Sequence, residues 1–84
     1  MPYFVYVIYS KQSDKLYIGY TNNLPRRLRQ HNSNTGKYTK KQKDWILVYS
    51  EEYSDKKQAM QREKQLKSWK SRKYLIERLG IKLP

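Results

Sequence analysis

Residues 16–31 of the chain read LYIGYTNNLPRRLRQH, and this stretch changes from a strand pattern to a helix pattern. Its aromatic and β-branched start suits a half-buried strand. Gly19 interrupts the strand, where a glycine often marks a bulge or the close approach of a ligand or another backbone. Asn22 and Asn23 are good helix caps, and Pro25 is tolerated only in a first turn. The stretch therefore predicts a strand that leads directly into a helix.

The predicted helix carries two different faces. Leu24 and Leu28 lie four residues apart and can face a core, whereas Arg27 and His31, also four apart, share another face. The preceding strand supplies Tyr17. A tyrosine is thus brought beside a guanidinium and an imidazole, a combination that suits phosphodiester chemistry.

Two further strands are expected. Residues 3–9 are apolar or aromatic on both alternating faces, so this strand is predicted to lie in the centre of the sheet. The short polar connection after it predicts an antiparallel hairpin with the strand that contains Tyr17. Residues 45–49 form a third apolar strand, which Glu51 and Glu52 are predicted to close.

Helices complete the expected fold. The first runs from about Leu24 to Asn32. The second is capped by Ser54, has Asp55 in its first turn and runs to about residue 69. The third begins after Ser71, and residue 80, a glycine, suits its end. The order β-β-α-β-α-α predicts one α+β domain over residues 1–84, with a small three-stranded, mainly antiparallel sheet flanked by three helices.

The charge of the chain indicates its partners. Nineteen Lys and Arg against seven Asp and Glu give a net charge of +12 on 84 residues, which favours nucleic acid as the partner. The chain has no cysteine, which excludes disulfides and thiolate metal sites. The longest apolar run, residues 3–9, is too short for a membrane span or a signal-peptide core. We expect a cytoplasmic protein with no membrane partner, and a monomer.

The ordered spacing of several residues resembles the GIY-YIG nuclease domains over nearly the whole chain. Tyr17-Ile18-Gly19 matches the second half of the family motif, and Phe4-Val5-Tyr6 stands at the first half, where the tyrosine matches well. Arg27, His31 and Glu63 follow at the family's intervals. The resemblance is greatest to small stand-alone members. It implies the same α+β arrangement and a nuclease that hydrolyses DNA, with DNA a better candidate than RNA. The chain departs from many members in having no asparagine after residue 34.

The residues themselves leave alternative roles open. Glu63 is predicted to project between core positions of the second helix, where a carboxylate is costly unless it is paired or bound to a cation. It is therefore either an ion-pair partner or, as the resemblance implies, a ligand of Mg²⁺ or Mn²⁺. Tyr6 and Tyr17 are strand aromatics or, by resemblance, general bases. His31 is a rival base or a helix-end residue that binds a carbonyl. Arg27 is a surface arginine or a clamp on the scissile phosphate.

Basic residues outside this set are predicted to bind nucleic acid. Those expected to contact it are Arg26, Arg29, Lys37, Lys40, Lys41 and Lys43. The last four lie in a segment from residue 37 to 44 that is predicted to be a mobile surface loop, either merely solvated or in contact with phosphates.

Three functional hypotheses follow. The first is an endonuclease that requires a divalent metal and acts on DNA, with Tyr6, Tyr17, Arg27, His31 and Glu63 as catalytic residues. The second keeps the fold without the activity, as a basic module that binds nucleic acid, such as RNA or a ribosomal partner. The third is a subunit of a larger complex. Metal-dependent cleavage distinguishes the first from the others.

Overall fold

The computed structural model of the chain describes residues 1–33 and 44–84. The strands are β1 (Tyr3–Ser10), β2 (Lys15–Thr21) and β3 (Trp45–Tyr53), and the helices are α1 (Leu24–His31), α2 (Lys56–Ser68) and α3 (Arg72–Leu79). Their order is the predicted β-β-α-β-α-α, so the fold prediction is confirmed. Most of the predicted loop, including its four lysines, lies outside the described residues.

The sheet is antiparallel, with the strand order β2-β1-β3. β1 is central, as its two apolar faces predicted. β3 is longer than expected, because Glu51 and Glu52 lie inside the strand and pair with β1 instead of closing it. The Glu51 carboxylate accepts hydrogen bonds from Tyr53 Oη at 2.6 Å and from Arg62 Nε of α2 at 2.9 Å. A partnered carboxylate can stay in a strand that its own propensity would end.

Helices cover both faces of the sheet. Successive β1 residues point to opposite faces, so Val5 joins Ala59 and Leu66 of α2 in one buried cluster. Tyr6 and Ile8 join a second cluster, against which the α1 leucines pack. The first cluster anchors α2, and the second fixes α1 beside Tyr6.

Local capping sets the helix ends. At the start of α1, the Asn23 side chain accepts a hydrogen bond from Arg26 N at 3.1 Å. At the start of α3, the Ser71 hydroxyl accepts a hydrogen bond from Tyr74 N. The cap of α2 is Asp55 and not the predicted Ser54, because the Asp55 carboxylate accepts from Gln58 N at 2.8 Å. Among the described residues, no helix is long and apolar enough to cross a membrane.

Lys70 lies between α2 and α3 with φ at 52°, in the left-handed region. In that conformation a residue with a Cβ is destabilised by about 1–2 kcal/mol. Glycine avoids this strain, but it loses more chain entropy on folding, which offsets part of the gain in stability. Lys70→Gly is therefore expected to raise the free energy of unfolding by about 0.5–1 kcal/mol in urea titrations. Asp14, with φ at 54°, is the control, since its carboxylate accepts from Tyr9 Oη at 2.7 Å and Arg72 Nη2 at 2.8 Å. An Asp14→Gly protein that is stabilised equally would contradict this account.

Candidate active site

The hairpin places the Tyr6 side chain directly over Gly19. The two residues are cross-strand partners, and a Cβ built on Gly19 would lie 2.5 Å from Tyr6 Oη and 2.7 Å from its Cζ. The glycine therefore accommodates a neighbouring side chain, whereas the sequence suggested a bulge or an approaching ligand or backbone. The strand irregularity lies elsewhere, between Val7 and Ile8 of β1.

The Tyr6 hydroxyl joins two residues of α1. Its oxygen lies 2.9 Å from His31 Nε2 and accepts a hydrogen bond from Arg27 Nε at 3.3 Å. Since the arginine N–H occupies one acceptor position, we assign the phenol proton to the hydrogen bond with His31. Burial raises the pKa of Tyr6, while the Arg27 hydrogen bond and charge oppose that rise. Tyr6 is thus a neutral phenol at pH 7 whose proton already points at a neighbouring base.

His31 is a buried histidine at the end of α1, with only 2% of its surface exposed. Burial, followed by the nearby positive charge of Arg27, lowers its pKa from 6.5 to about 4. At neutral pH the imidazole is therefore uncharged and can accept the Tyr6 proton through Nε2. The side chain is therefore both at the end of the helix and packed into the site beside Tyr6.

The low pKa of His31 predicts a loss of stability in mild acid. Between pH 6.5 and pH 4 the unfolded chain binds a proton that the folded protein excludes, so stability falls as pH falls through this window. From pH 7 to pH 5 the free energy of unfolding should drop by about 2 kcal/mol. Urea unfolding at both pH values measures it. A His31→Gln control should lack most of this drop in the free energy of unfolding. An equal drop in both proteins would show that His31 is not its cause.

Aromatic rings surround the Tyr6–His31 pair. The Tyr17 ring lies 4.9 Å from the His31 ring and 6.5 Å from the Tyr6 ring, centroid to centroid. The Trp45 ring lies 6.5 Å from both His31 and Tyr17. This packing fixes the imidazole against the hydroxyl and keeps that side of the pair apolar.

A polar cleft of about 290 Å³ opens in front of Tyr6. Its lining comes from β1, β2, α1 and α2, and consists of Tyr6, Tyr17, Gly19, Tyr20, Thr21, Arg26, Arg27, Gln30 and Glu63. Glu63 is the one carboxylate in this lining. Its side chain is 17% exposed and lies 3.4 Å from Lys67 Nζ, one turn further along α2.

The structure brings the five predicted catalytic residues together. Tyr6, Tyr17, Arg27 and Glu63 line the cleft, and His31 stands behind Tyr6. Of the residues predicted to bind nucleic acid, Arg26 also lines the cleft, and Arg29 is exposed on α1 outside that lining.

Sequence reasoning missed three residues of the cleft. Tyr20 and Thr21 follow Gly19 along the edge of β2, and Gln30 lies one turn after Arg27 on α1. Gln30 Oε1 accepts from Arg27 Nη1 at 3.3 Å, which steadies the guanidinium. The three-residue spacing from Arg27 was the available signal for this contact.

Among the residues that line the cleft, Glu63 supplies the carboxylate that could bind a hard divalent cation. In the part of the chain that the structure describes, no group of three or more His, Cys, Asp or Glu side chains is placed to hold a metal ion. Mg²⁺ and Mn²⁺ suit such a site, because Mg²⁺ keeps several waters and uses one or two carboxylates together with substrate phosphates. Glu63 is the residue that would hold the ion, and Lys67 Nζ lies 3.4 Å from its carboxylate.

Comparison with known proteins assigns the chain to a class of nuclease domains. The sequence profile of the GIY-YIG catalytic domain matches residues 2–75, so the chain belongs to the GIY-YIG family. This confirms the family prediction.

The chain is also similar to small UPF0213 proteins. One from Staphylococcus haemolyticus is 41% identical over 68 residues, covering 80% of this chain and 82% of the relative. The UPF0213 protein YazA of Bacillus subtilis is 38% identical over 84 residues, with 95% and 84% covered. The solution NMR structure of a UPF0213 protein from Bacillus halodurans has a TM-score of 0.60 at 31% identity, covering 95% of this chain and 84% of that one.

Proposed function

We propose that the protein is an endonuclease that hydrolyses DNA phosphodiester bonds with the help of a divalent metal ion. The observation that carries this proposal is the Tyr6 hydroxyl, which contacts His31 Nε2 at 2.9 Å and Arg27 Nε at 3.3 Å beside a polar cleft. A proton acceptor and a phosphate-binding cation thus meet at one oxygen. Membership of a nuclease-domain family supports the same reaction class.

In the proposed reaction, water attacks the phosphorus atom and the bond from phosphorus to the leaving oxygen breaks. Tyr6 Oη takes a proton from the water while its own proton passes to His31 Nε2, and the leaving oxygen takes a proton from solvent. Burial first, and the positive charge of Arg27 second, keep the pKa of His31 low in the absence of substrate. A phosphate bound at Arg27 offsets that charge and raises the basicity of the imidazole when the substrate is in place.

Arg27 is proposed to hold the scissile phosphate. Its side chain is held by Tyr6 and Gln30, so the guanidinium is oriented before the substrate arrives. Guanidinium groups bind phosphate oxygens with two parallel hydrogen bonds. A cation in this position stabilises the charge that accumulates in the transition state more than the charge of the ground state.

Glu63 is proposed to hold Mg²⁺ or Mn²⁺ at the cleft. A bound ion would stabilise negative charge on the phosphate and on the leaving oxygen. The carboxylate faces the cleft from α2, which is anchored by the buried residues Ala59 and Leu66. A rigid helix therefore supports the proposed ligand.

A nicking assay tests this function. Supercoiled plasmid, flap and junction DNA are incubated with the protein in Mn²⁺, in Mg²⁺ and in EDTA. We expect cleavage in the two metal ions and none in EDTA. No cleavage of any of these substrates in either metal would overturn the proposal.

A second candidate function is supported by the net charge of +12. A basic binding module of this fold would bind nucleic acid without cutting it. Both candidates predict affinity for duplex DNA that falls steeply with salt, with a log–log slope on the order of −4 to −5 if about four to six phosphates are neutralised. Titration of labelled duplex measures the slope. A flat slope would remove nucleic acid as the partner, and only the nicking assay separates the two candidates.

A further inference from the structure

A second concave surface, which we name the β2 groove, lies between the edge strand β2 and the junction of α2 with α3. Its volume is about 410 Å³. Its apolar lining consists of Leu16 and Ile18 from β2, Leu66 from α2 and Leu75 from α3. Leu66 and Leu75 are buried and the two β2 residues are half-buried, so they form the floor.

Cations stand along the rim of the β2 groove. Lys67 and Lys70 are exposed at the end of α2 and just after it, and Arg72 is exposed at the start of α3. Arg72 is held by Asp14 at 2.8 Å, and Lys67 lies 3.4 Å from Glu63. An apolar floor with a cationic rim complements an amphipathic polyanion.

The β2 groove adjoins the cleft in front of Tyr6. Tyr17 lines both of them. The pair formed by Glu63 and Lys67 also joins them, since the glutamate lines the cleft and the lysine lines the groove. A strand with a phosphate at Arg27 could therefore run past Tyr17 into the groove.

Lys70 places a positive charge on this rim at the junction of α2 with α3. It occupies the left-handed backbone region, with φ at 52°, where glycine or asparagine is the favoured residue. A lysine at this position keeps a positive charge beside the groove in spite of its backbone conformation.

We propose that the β2 groove binds an unpaired DNA strand that leaves the cleft, with Lys67 and Lys70 contacting its phosphates and the floor covering a base. This proposal rests on the proposed function, because it takes the cleft as the position of the scissile phosphate. Proteins that bind single strands combine a positive groove with aromatic side chains on which bases stack, and Tyr17 is the aromatic residue in the lining of this groove. In a duplex the bases are stacked inside the helix and cannot reach such a floor, so the groove favours flaps, overhangs and other partly unpaired DNA.

Lys70→Asn is the variant that tests the rim, because asparagine tolerates the left-handed conformation and the fold is retained. Lys67 is less suitable, since its replacement also changes the charge beside Glu63. The matched control is Lys56→Asn, which removes the same charge from the opposite end of α2, in a different hollow. Binding of a fluorescent single-stranded oligothymidine and of a blunt duplex is measured by anisotropy in EDTA at several salt concentrations.

For the single strand, Lys70→Asn should weaken binding about fivefold at 0.1 M salt and reduce the log–log slope by about 0.7, the loss of one phosphate contact. Lys56→Asn should change the single-strand affinity less than twofold. For the blunt duplex, the two variants should bind with the same affinity. The parent should also bind oligothymidine about tenfold more tightly than an abasic oligomer with the same number of phosphates, an effect of the size of one stacked base.

Equal effects of the two variants on the single strand, or equal binding of the abasic oligomer, would overturn the proposal. A larger effect of Lys70→Asn on the duplex than on the single strand would also overturn it. Because the binding assay contains EDTA, its result is independent of cleavage. A protein that cleaves DNA in Mn²⁺ without the expected difference loses the groove proposal alone, and one that shows the difference without cleavage loses the nuclease proposal alone.

Discussion

Glu63→Gln is expected to abolish DNA cleavage in Mg²⁺ and Mn²⁺ while DNA binding persists or becomes stronger. Glutamine keeps the shape of the side chain and removes the one carboxylate that lines the cleft. Mg²⁺ is usually held by one or two carboxylates together with waters and substrate phosphates, so replacing this carboxylate by a neutral amide removes the charged ligand of the proposed metal ion. The loss of one negative charge beside Tyr6 and Arg27 also favours a polyanion.

The alternative role of Glu63 is an ion-pair partner of Lys67. Half of the Lys67 side chain is exposed, and such pairs on helices contribute only about 0.3–0.5 kcal/mol. In that role, Glu63→Gln would slightly reduce stability and leave cleavage unchanged. Glu77→Gln on α3 is the control, because it removes the same charge outside the cleft lining. Plasmid nicking rates in Mn²⁺ distinguish the two roles of Glu63. Cleavage by Glu63→Gln at the parent rate would show that the residue has only a structural role.

Tyr6→Phe is expected to lower the cleavage rate by about two to four orders of magnitude, the usual contribution of a positioned general base. The substitution removes the oxygen that links the half-buried Arg27 to the buried His31 and leaves both nitrogens without that partner. Unfolding should therefore become easier by about 1–3 kcal/mol. Single-turnover cleavage and urea unfolding measure the two effects separately.

Tyr17→Phe is the matched control for Tyr6→Phe. The Tyr17 ring packs against His31 and would keep that contact as phenylalanine, so the rate should fall less than tenfold. If Tyr17→Phe proved the more damaging change, the general base would be Tyr17. If Tyr6→Phe cleaved at the parent rate and His31→Gln did not, the proton would pass to His31 without the phenol.

The sequence was sufficient to predict the central strand of the sheet and part of the lining of the cleft. Apolar residues on both faces of β1 required a central strand, and this periodicity of two residues can be read locally. The placement of Arg27 and Glu63 at one site was implied instead by the resemblance to the GIY-YIG domains, and both residues line the cleft.

Contacts between distant segments could not be predicted from local patterns. The two glutamates near the end of β3 were interpreted as a strand end, because carboxylates are depleted in strands. The position of Glu51 inside β3 is supported by Arg62, which lies eleven residues after it and reaches it from α2. The burial of His31 likewise depends on Tyr6, which is 25 residues earlier in the chain.

The contact between Tyr6 and Gly19 constrains how this site can diverge. A methyl group at residue 19 would overlap the phenol ring of residue 6, and loss of that ring would remove the oxygen between Arg27 and His31. A homologue that keeps the proposed reaction is therefore expected to keep the glycine. A homologue that has lost the tyrosine can carry a larger residue at position 19. Homologous chains with a larger residue at this glycine should carry a smaller side chain in place of the tyrosine, and an active homologue with alanine beside an intact tyrosine would refute this epistasis.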